Sequence, residues 1–276
     1  MVDRKRLIRR VILIAYFIAS FFAFLFMLFP FDMVKAKIVS EVHRRTPFEL
    51  NVTRMSPLFF NQFILNDVVL SEKSGKVLFE SQQVKLSVSL LGLLRDHLSL
   101  DMKARAYGGD LIIKAQQRPG RQYIFLDASG IDVASYGLLK NAGFHISGKL
   151  NGNIELTNDT GKGKLWMKGL ISRDLRVKGF SIPDVEFDQC WFESDIKGDK
   201  LTIRKLELDG KELKIQCQGD AVLRERGLLN LSVKVKLSER LARDQQGLLS
   251  LLKNRDSDGF YHFGLGGTLD LPVPRL

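Results

Sequence analysis

Few residues in this sequence have the types and spacing that chemistry requires. A helical zinc site needs two histidines four residues apart, and a phosphate loop needs the full GxGxxG pattern before a helix. The glycine-rich stretch 264–267 lacks that pattern and leads to Pro272, and neither a Walker motif nor a GxSxG elbow is present. The histidines, none spaced for zinc, are His43, His97, His145 and His262. We therefore expect a protein that is not an enzyme, with no catalytic, cofactor-binding or metal site.

The two cysteines and a short acidic run have structural interpretations. Cys190 and Cys217 could form a disulfide in an oxidising compartment. In a simple meander, one strand separates their strands, and next-but-one strands lie about 9.5 Å apart, too far for a bridge. Free buried thiols are favoured, and the disulfide stays open as the alternative. The acids Asp184, Glu186 and Asp188 alternate with Val185 and Phe187, which is typical of one solvated strand face and not of a calcium loop.

An uninterrupted apolar run occupies residues 11–29 and follows a basic tail at residues 1–10. As a helix this run would be about 28 Å long, which matches a bilayer core of about 30 Å. It is longer than the core of a signal peptide, and no small-x-small cleavage site follows it. We predict an uncleaved transmembrane helix, with a cleaved signal peptide as the alternative. The basic tail favours a cytoplasmic N-terminus and places the bulk of the chain on the far side.

Residues 30–47 are predicted to form an amphipathic helix beside the membrane. Asp32 is the expected N-cap, and Pro47 is expected to end the helix. The helical period is carried by Val34, Ile38 and Val42, which recur every four positions.

From residue 48 onwards the hydrophobic period changes to two, which predicts antiparallel strands with one buried and one solvated face. Turn residues separate the runs at 73–75, 158–161, 197–199 and 209–210. The clearest alternating runs are 84–90, 98–104, 146–156, 213–223 and 229–237. Residues 48–276 are therefore expected to form a β-rich domain. Its apolar face is either closed by helices or left as a hydrophobic trough.

Two predicted helices, at about 132–141 and 238–253, interrupt the strands, and the second begins at Ser238 or Glu239. Each helix ends in Leu-Leu-Lys-Asn and precedes a Phe-x3-Gly-x-Leu motif, at Phe144 and again at Phe263. These matches predict a strand–helix–strand unit used twice. His145 and His262 adjoin the two motifs and are expected on the polar side of paired strands.

The net charge of +11 has two interpretations. Most lysines and arginines alternate with apolar residues, as Lys234 and Lys236 do, which is typical of the solvated face of a sheet. Attraction to a negatively charged surface is the alternative. We expect no nucleic-acid partner.

The order of several short motifs resembles that of a known family. After the predicted span come a Phe-Pro-Phe-Asp exit at 29–32, the stretch 84–94, a Tyr107-Gly-Gly-Asp110 turn, Gly148-Lys-Leu-Asn-Gly152 and a closing Gly267-Thr-Leu-Asp-Leu-Pro272. Over most of its length the chain resembles the type II secretion system protein N (GspN) family. That family is in turn similar to the AsmA-like group of envelope proteins.

The resemblance implies a single-pass protein of the bacterial inner membrane, with the bulk of the chain in the periplasm. It implies a mainly β fold, in which the transmembrane helix precedes a curved, mostly antiparallel AsmA-like sheet with two or three short covering helices. The implied function is a non-enzymatic accessory subunit of a type II secretion apparatus, with other secretion-system subunits as partners. The alternative is an AsmA-like lipid-binding or lipid-transfer protein for outer-membrane homeostasis, with lipid in an apolar groove.

Overall fold

A computed structural model describes most of the chain, largely as β-strands. The described residues are 12–13, 16–17, 20, 31–59, 61–89, 92, 97–137, 139, 145–173, 175–177, 180–182, 184–224, 227–244, 249, 252, 254–268 and 271–275.

The described residues form seventeen strands, two α-helices and one 3-10 turn. The helices are α1 (Phe31–Arg45) and α2 (Glu239–Asp244), and the 3-10 turn is Val133–Ser135. The strands are β1 (Phe48–Phe59), β2 (Gln62–Glu72), β3 (Val77–Val88), β4 (Leu98–Ala106), β5 (Gly109–Arg118), β6 (Arg121–Asp132), β7 (His145–Thr157), β8 (Thr160–Arg173), β9 (Leu175–Val177), β10 (Phe180–Ile182), β11 (Val185–Lys197), β12 (Lys200–Asp209), β13 (Leu213–Val222), β14 (Leu229–Leu237), β15 (Asn254–Arg255), β16 (Tyr261–Gly267) and β17 (Pro272–Arg275).

Fifteen of these strands form one curved, open antiparallel sheet. Strands β1 to β8 follow in chain order, and β11 to β14 and β16 continue the sheet. β15 and β17 both pair with β16, while β9 and β10 form a separate two-stranded ribbon between β8 and β11. Because neighbouring strands are joined by short connections, the sheet is a meander with little crossover.

The strands of the meander begin and end along two opposite sides of the sheet, and these two sides carry different features. At one edge lie the hairpin turns 119–120, 158–159 and 198–199 and the connection 223–228, and we call this the turn edge. At the opposite edge, which we call the helix edge, lie α1, the 3-10 turn and α2. α1, the 3-10 turn and α2 therefore all lie at the same edge of the sheet.

The sheet has one apolar and one polar face, as the period of two requires. Leu86 of β3, Met102 of β4 and Ile113 of β5 lie side by side on the apolar face. Lys85 and Lys103 lie directly opposite each other on the polar face. The same alternation continues across the central strands to β16, so apolar side chains line one whole face.

Two clusters of buried side chains cover parts of the apolar face. The first lies on β1 to β4, contains Val84, which is 0% exposed, and contacts Ile38 of α1. The second lies on β8, β11, β13 and β14 near the helix edge, where Leu241 of α2 packs with Phe187. Each cluster removes apolar surface from water, which stabilises the fold by about 25 cal/mol per Å².

The predicted strands are confirmed, and the five alternating runs fall on β3, β4, β7, β13 and β14 in that order. The run 84–90 extends two residues beyond the end of β3, and the run 213–223 extends one residue beyond the end of β13. An α-helix, α1, stands where the amphipathic segment was predicted and ends two residues before Pro47. The N-cap prediction is wrong because Asp32 lies inside the first turn of α1, where its carboxylate faces the positive end of the helix dipole.

The two inner helical segments are described only in part, with helical residues at 137, 139 and 249 in addition to the 3-10 turn and α2. Residues 133–135 form a 3-10 turn because Asp132 ends β6 and caps that turn by accepting a hydrogen bond from the Ala134 amide (3.0 Å). α2 begins at Glu239, and Ser238 caps it by accepting a hydrogen bond from the Leu241 amide (3.2 Å), as predicted. The repeat of the strand–helix–strand unit stays a prediction, since Phe144 and most of 138–141 and 245–253 lie outside the described residues.

The predicted transmembrane helix lies largely outside the described residues. Five of its residues are described as helical, namely Ile12, Leu13, Tyr16, Phe17 and Ser20. The first four of these expose 59–73% of their surface. Among the described residues, no helix has both the length and the hydropathy that a membrane span needs.

Candidate functional site

The candidate site is a strip of half-buried aliphatic side chains on the apolar face, next to the turn edge. It lies on the central strands between the two buried clusters, and Ile124 in its middle is 43% exposed. We call it the open strip, and its residues are Ile113, Ala115, Ile124, Leu126, Ile154, Leu156, Ile196, Leu201 and Ile203. None of these side chains belongs to the buried core, so the middle of the apolar face is accessible to solvent.

Strand register aligns the open strip across the sheet. Ala115 of β5 pairs with Ile124 of β6, and Ile124 pairs with Leu156 of β7. The strip crosses six strands, from β5 to β12 along the sheet, and its side chains come from five of them, since β8 carries glycines at this position. At about 4.8 Å between strands, it extends for about 24 Å.

Small residues on β8 and β11 allow close packing in the centre of the strip. Gly161 lies opposite Leu156, and Gly163 lies opposite both Ile154 and Ser194. A Cβ atom at Gly163 would lie 3.0 Å from the Ser194 hydroxyl oxygen, so a larger side chain would crowd this position. Ser194 is accordingly only 4% exposed, and the accessible aliphatic side chains lie on either side of it.

Backbone hydrogen bonds join successive turns along the turn edge. The Asn158 amide donates to the Gln122 carbonyl (2.8 Å), and the Gln122 amide donates to the Asn158 side-chain oxygen (2.8 Å). The Gly198 amide donates to the Asp159 carbonyl (2.6 Å), and the Leu223 amide donates to the Asp199 carbonyl (2.6 Å). These bonds link four strand connections into a continuous border beside the open strip.

The polar face is crossed by ion pairs between neighbouring strands. Lys164 lies 3.5 Å from Glu193, and Lys214 lies 2.7 Å from Asp209. Such exposed ion pairs contribute little to stability, about 0–1 kcal/mol each.

The acidic run also lies on the polar face. Its prediction is confirmed, because Asp184, Glu186 and Asp188 are exposed while Val185 and Phe187 are buried. The polar face is therefore a solvated surface, as the lysine pattern predicted.

Two tryptophans form a stacked pair on the polar face. The ring centroids of Trp166 on β8 and Trp191 on β11 are 6.0 Å apart, and the rings are inclined by 28°. Trp191 is 41% exposed. Because these are the only two tryptophans in the sequence, their fluorescence reports on the centre of the sheet.

The histidines lie apart from one another, and none belongs to the open strip. His145 is exposed at the start of β7, and His262 lies beside Lys234 on the polar side of β16, as predicted. His43 is near Glu49 (3.9 Å), and His97 lies at the turn edge. Among the described residues, no three histidine, cysteine or acidic side chains come together as a metal site would require.

One histidine contacts an aspartate that holds a turn at the helix edge. His262 Nε2 lies 2.6 Å from Asp256 Oδ2, and the Phe260 amide donates to Asp256 Oδ1 (2.8 Å). His262 and, to a smaller extent, this amide hold the pKa of Asp256 below its ordinary value. The folded protein therefore favours the carboxylate form.

Replacing Asp256 with asparagine should lower the thermal stability at pH 7 and weaken its pH dependence in acid. The stabilisation by the Asp256 carboxylate is complete above the unfolded-state pKa of about 3.9 and is lost as the pH falls through the lower folded-state value. Thermal unfolding of the full chain at pH 7 and at pH 3, followed by circular dichroism, measures both effects. If the difference in Tm between pH 7 and pH 3 were the same in Asp256→Asn as in the unaltered chain, this role of Asp256 would be contradicted.

Both cysteines are buried on the apolar face and free. Cys190 is on β11 and Cys217 on β13, and both pair with residues of the intervening β12. This separation confirms the meander geometry predicted for them. Burial raises the pKa of Cys190 to about 11 and also raises the pKa of Cys217.

The sequence predicted that an apolar trough could exist but did not identify its residues. It also gave no special role to the arginines of the β5–β6 hairpin, although an Arg-Pro-Gly-Arg turn at 118–121 between two strands was visible. In the structure this turn borders a depression at the turn edge.

In comparisons with known proteins, no family model, no curated protein and no solved structure matched the chain.

Proposed function

We propose that this protein is a membrane-anchored, non-enzymatic module that binds the acyl chains of lipids on the open strip. The observation that supports it is the exposure of aliphatic side chains in the middle of the sheet, with Ile124 43% exposed. Contiguous exposed apolar surface in a folded domain usually serves binding. The partly exposed strip lies between two packed clusters, so the sheet remains stable without covering it.

The dimensions of the strip suit an acyl chain. A bilayer core of about 30 Å holds two layers of chains, so one chain extends for about 15 Å. The strip, at about 24 Å, can hold such a chain across three or four strands. Its aliphatic side chains carry no hydrogen-bonding group, as an acyl chain requires.

The predicted anchor would place β1, the first strand of the sheet, near the bilayer. Residues 11–29 are proposed to span the inner membrane with the N-terminus in the cytoplasm, and α1 would then leave the membrane at the helix edge. α1 packs on the first cluster through Ile38, next to β1. The sheet would thus begin at the membrane surface and extend into the periplasm, in an AsmA-like arrangement.

Photocrosslinking tests the proposal with the full chain in phosphatidylcholine vesicles whose lipids carry a photoactivatable acyl chain. We expect adducts on peptides from β5, β6, β7 and β12, identified by mass spectrometry. Ile124→Lys should reduce these adducts about tenfold, because a lysine ammonium is costly to bury beside an acyl chain. Adducts confined to residues 11–29 would overturn the proposal.

Val77→Lys is the matched control for this substitution. Val77 is 42% exposed and also lies in a strand, but it is at the start of β3 near the helix edge, outside the open strip. The same substitution at nearly the same exposure should leave the strip adducts within about twofold of the unaltered chain. Equal losses in both variants would indicate a general effect of added charge and would contradict binding at the strip.

A second candidate is an accessory subunit of a type II secretion apparatus, which the order of the sequence motifs favours. One of these motifs has a defined backbone role, since Tyr107 and Gly108 form the β4–β5 turn with φ of 51° and 74°. Other secretion subunits would be its partners, and a partner strand could add to a free edge of the sheet. In a deletion strain, exported enzymes retained in the periplasm with a tight outer membrane would support this candidate. Normal secretion with a leaky outer membrane would support the lipid-binding function.

A further inference from the structure

The stacked tryptophan pair belongs to a longer row of side chains that crosses the polar face. Strand register places one member of this row, which we call the polar row, on each strand from β7 to β16 along the sheet. In order, its members are Asn151, Trp166, Trp191, Glu207, Gln216, Lys234 and His262. At about 4.8 Å between strands, the row is about 29 Å long.

Aromatic surface is exposed at the centre of the polar row. Trp166 and Trp191 are the two tryptophans of the sequence, and neither belongs to a buried cluster. Trp191 is 41% exposed. Stacking accounts for the contact between the two rings, whereas exposed aromatic surface framed by hydrogen-bonding groups is the usual composition of a binding site.

An open depression of about 170 Å³ lies next to the pair on the polar face. Glu207, Gln216 and Lys234 of the polar row line it. Because Glu207 is the register neighbour of Trp191, the depression begins one strand away from the rings. The polar row therefore leads from two aromatic rings to a carboxylate, an amide and an ammonium group.

Ion pairs neutralise the nearest lysines on the turn-edge side of the rings. Lys164 lies 3.5 Å from Glu193, its register partner, and Lys205 lies 2.8 Å from Glu207. Single-stranded nucleic acids, which also stack on aromatic rings, are bound in grooves that are positively charged. Paired lysines attract such a polyanion weakly, so this surface favours an uncharged ligand that stacks and forms hydrogen bonds.

We propose that the polar row binds a linear β-1,4-linked polysaccharide, with sugar rings packed on Trp166 and Trp191 and the chain continuing over β12 and β13. The faces of a β-linked glucopyranose ring present C–H groups, which pack against the electron-rich face of an indole ring. Its hydroxyl groups point outward from the rim and require hydrogen-bonding partners, which Glu207 and Gln216 supply. One sugar of such a chain is only slightly longer than the spacing between strands, so successive sugars meet successive members of the row.

Titration of the full chain, kept in a detergent without a sugar headgroup, tests this assignment. The probes are cellohexaose and the hexamer of β-1,4-linked N-acetylglucosamine, which share ring faces and linkage. We expect saturable binding of at least one hexamer by isothermal titration calorimetry, with a blue shift of tryptophan emission because sugar replaces water beside Trp191. The tighter hexamer identifies a plain or an acetylated polymer. Absence of both signals with both hexamers would overturn the assignment.

Two substitutions locate the binding. Trp191→Ala should weaken the binding of the tighter hexamer at least about tenfold, because it removes the exposed ring. Gln216→Ala should weaken it about threefold, and this exposed position outside the buried clusters keeps the assignment testable if Trp191→Ala does not fold. Unchanged affinity in the folded variants would overturn the assignment.

Tyr123→Ala is the matched control. Tyr123 is also an aromatic residue on the polar face, but it pairs with Thr157 of β7, about 20 Å along that strand from Asn151. This variant should bind the hexamer within about twofold of the unaltered chain, and a loss equal to that of Trp191→Ala would contradict binding at the row. Tighter binding of an oligothymidylate than of either hexamer would indicate a nucleic-acid surface and would also overturn the assignment.

Discussion

Replacing Gly152 with alanine should destabilise the sheet by about 3 kcal/mol or more, from backbone strain and overpacking together. Gly152 lies in β7 with a φ of 154°, a conformation that residues with a Cβ atom rarely adopt. An added Cβ would lie 2.3 Å from the Lys164 carbonyl oxygen and 2.8 Å from Leu165 Cα on β8. Because both atoms belong to the backbone of β8, relief requires that the β7–β8 pairing itself shifts.

Urea unfolding of the full chain, followed by tryptophan fluorescence, measures this loss. Trp166 lies on β8, two residues from Lys164, and reports directly on the strand that would have to move. Gly169→Ala is the matched control, since Gly169 also lies in β8 with a positive φ of 63°, but the position that an alanine Cβ would occupy is open space. We expect that variant to lose only about 1–2 kcal/mol, the cost of the left-handed conformation. Equal losses in the two variants would contradict the close approach at Gly152.

Thiol labelling of the folded protein should be at least about 100-fold slower than labelling of the unfolded chain. Burial raises the pKa of Cys190 from an ordinary value of 9.0 to about 11, so the reactive thiolate is about 100-fold scarcer at pH 8. Cys190 and Cys217 are also only 7% and 8% exposed, which limits the access of a reagent. Reaction with a maleimide at pH 8, with and without urea, gives both rates.

Gln216→Cys provides the control for this experiment. Gln216 precedes Cys217 in β13 and is exposed on the polar face, so a thiol there should react at nearly the rate of the unfolded chain. Fast labelling of the native cysteines in the folded protein would show that the apolar face opens near β11 and β13. Detection of a Cys190–Cys217 disulfide would contradict their separation by β12, since next-but-one strands are about 9.5 Å apart.

The strands, and the face on which each of their side chains lies, follow from the amino-acid pattern alone. A period of two is a local property, since every second residue of a strand points to the same side whatever lies above it. The runs at 84–90 and 146–156 therefore predicted β3 and β7 correctly. Chain order also predicted that one strand separates the two cysteines, because short connections favour adjacent antiparallel pairing.

The part of the apolar face that is covered could be identified only in the folded chain. Val84 and Ile124 both occur in alternating strands, yet one is 0% and the other 43% exposed. The difference arises because α1 packs on the first cluster and α2 on the second, while the central strands next to the turn edge stay accessible. Likewise, only the register showed that Ala115 of β5 and Leu156 of β7 lie on either side of Ile124. Coverage and register depend on contacts between residues distant in sequence, whereas the hydrophobic period reports only the orientation of each side chain within its own strand.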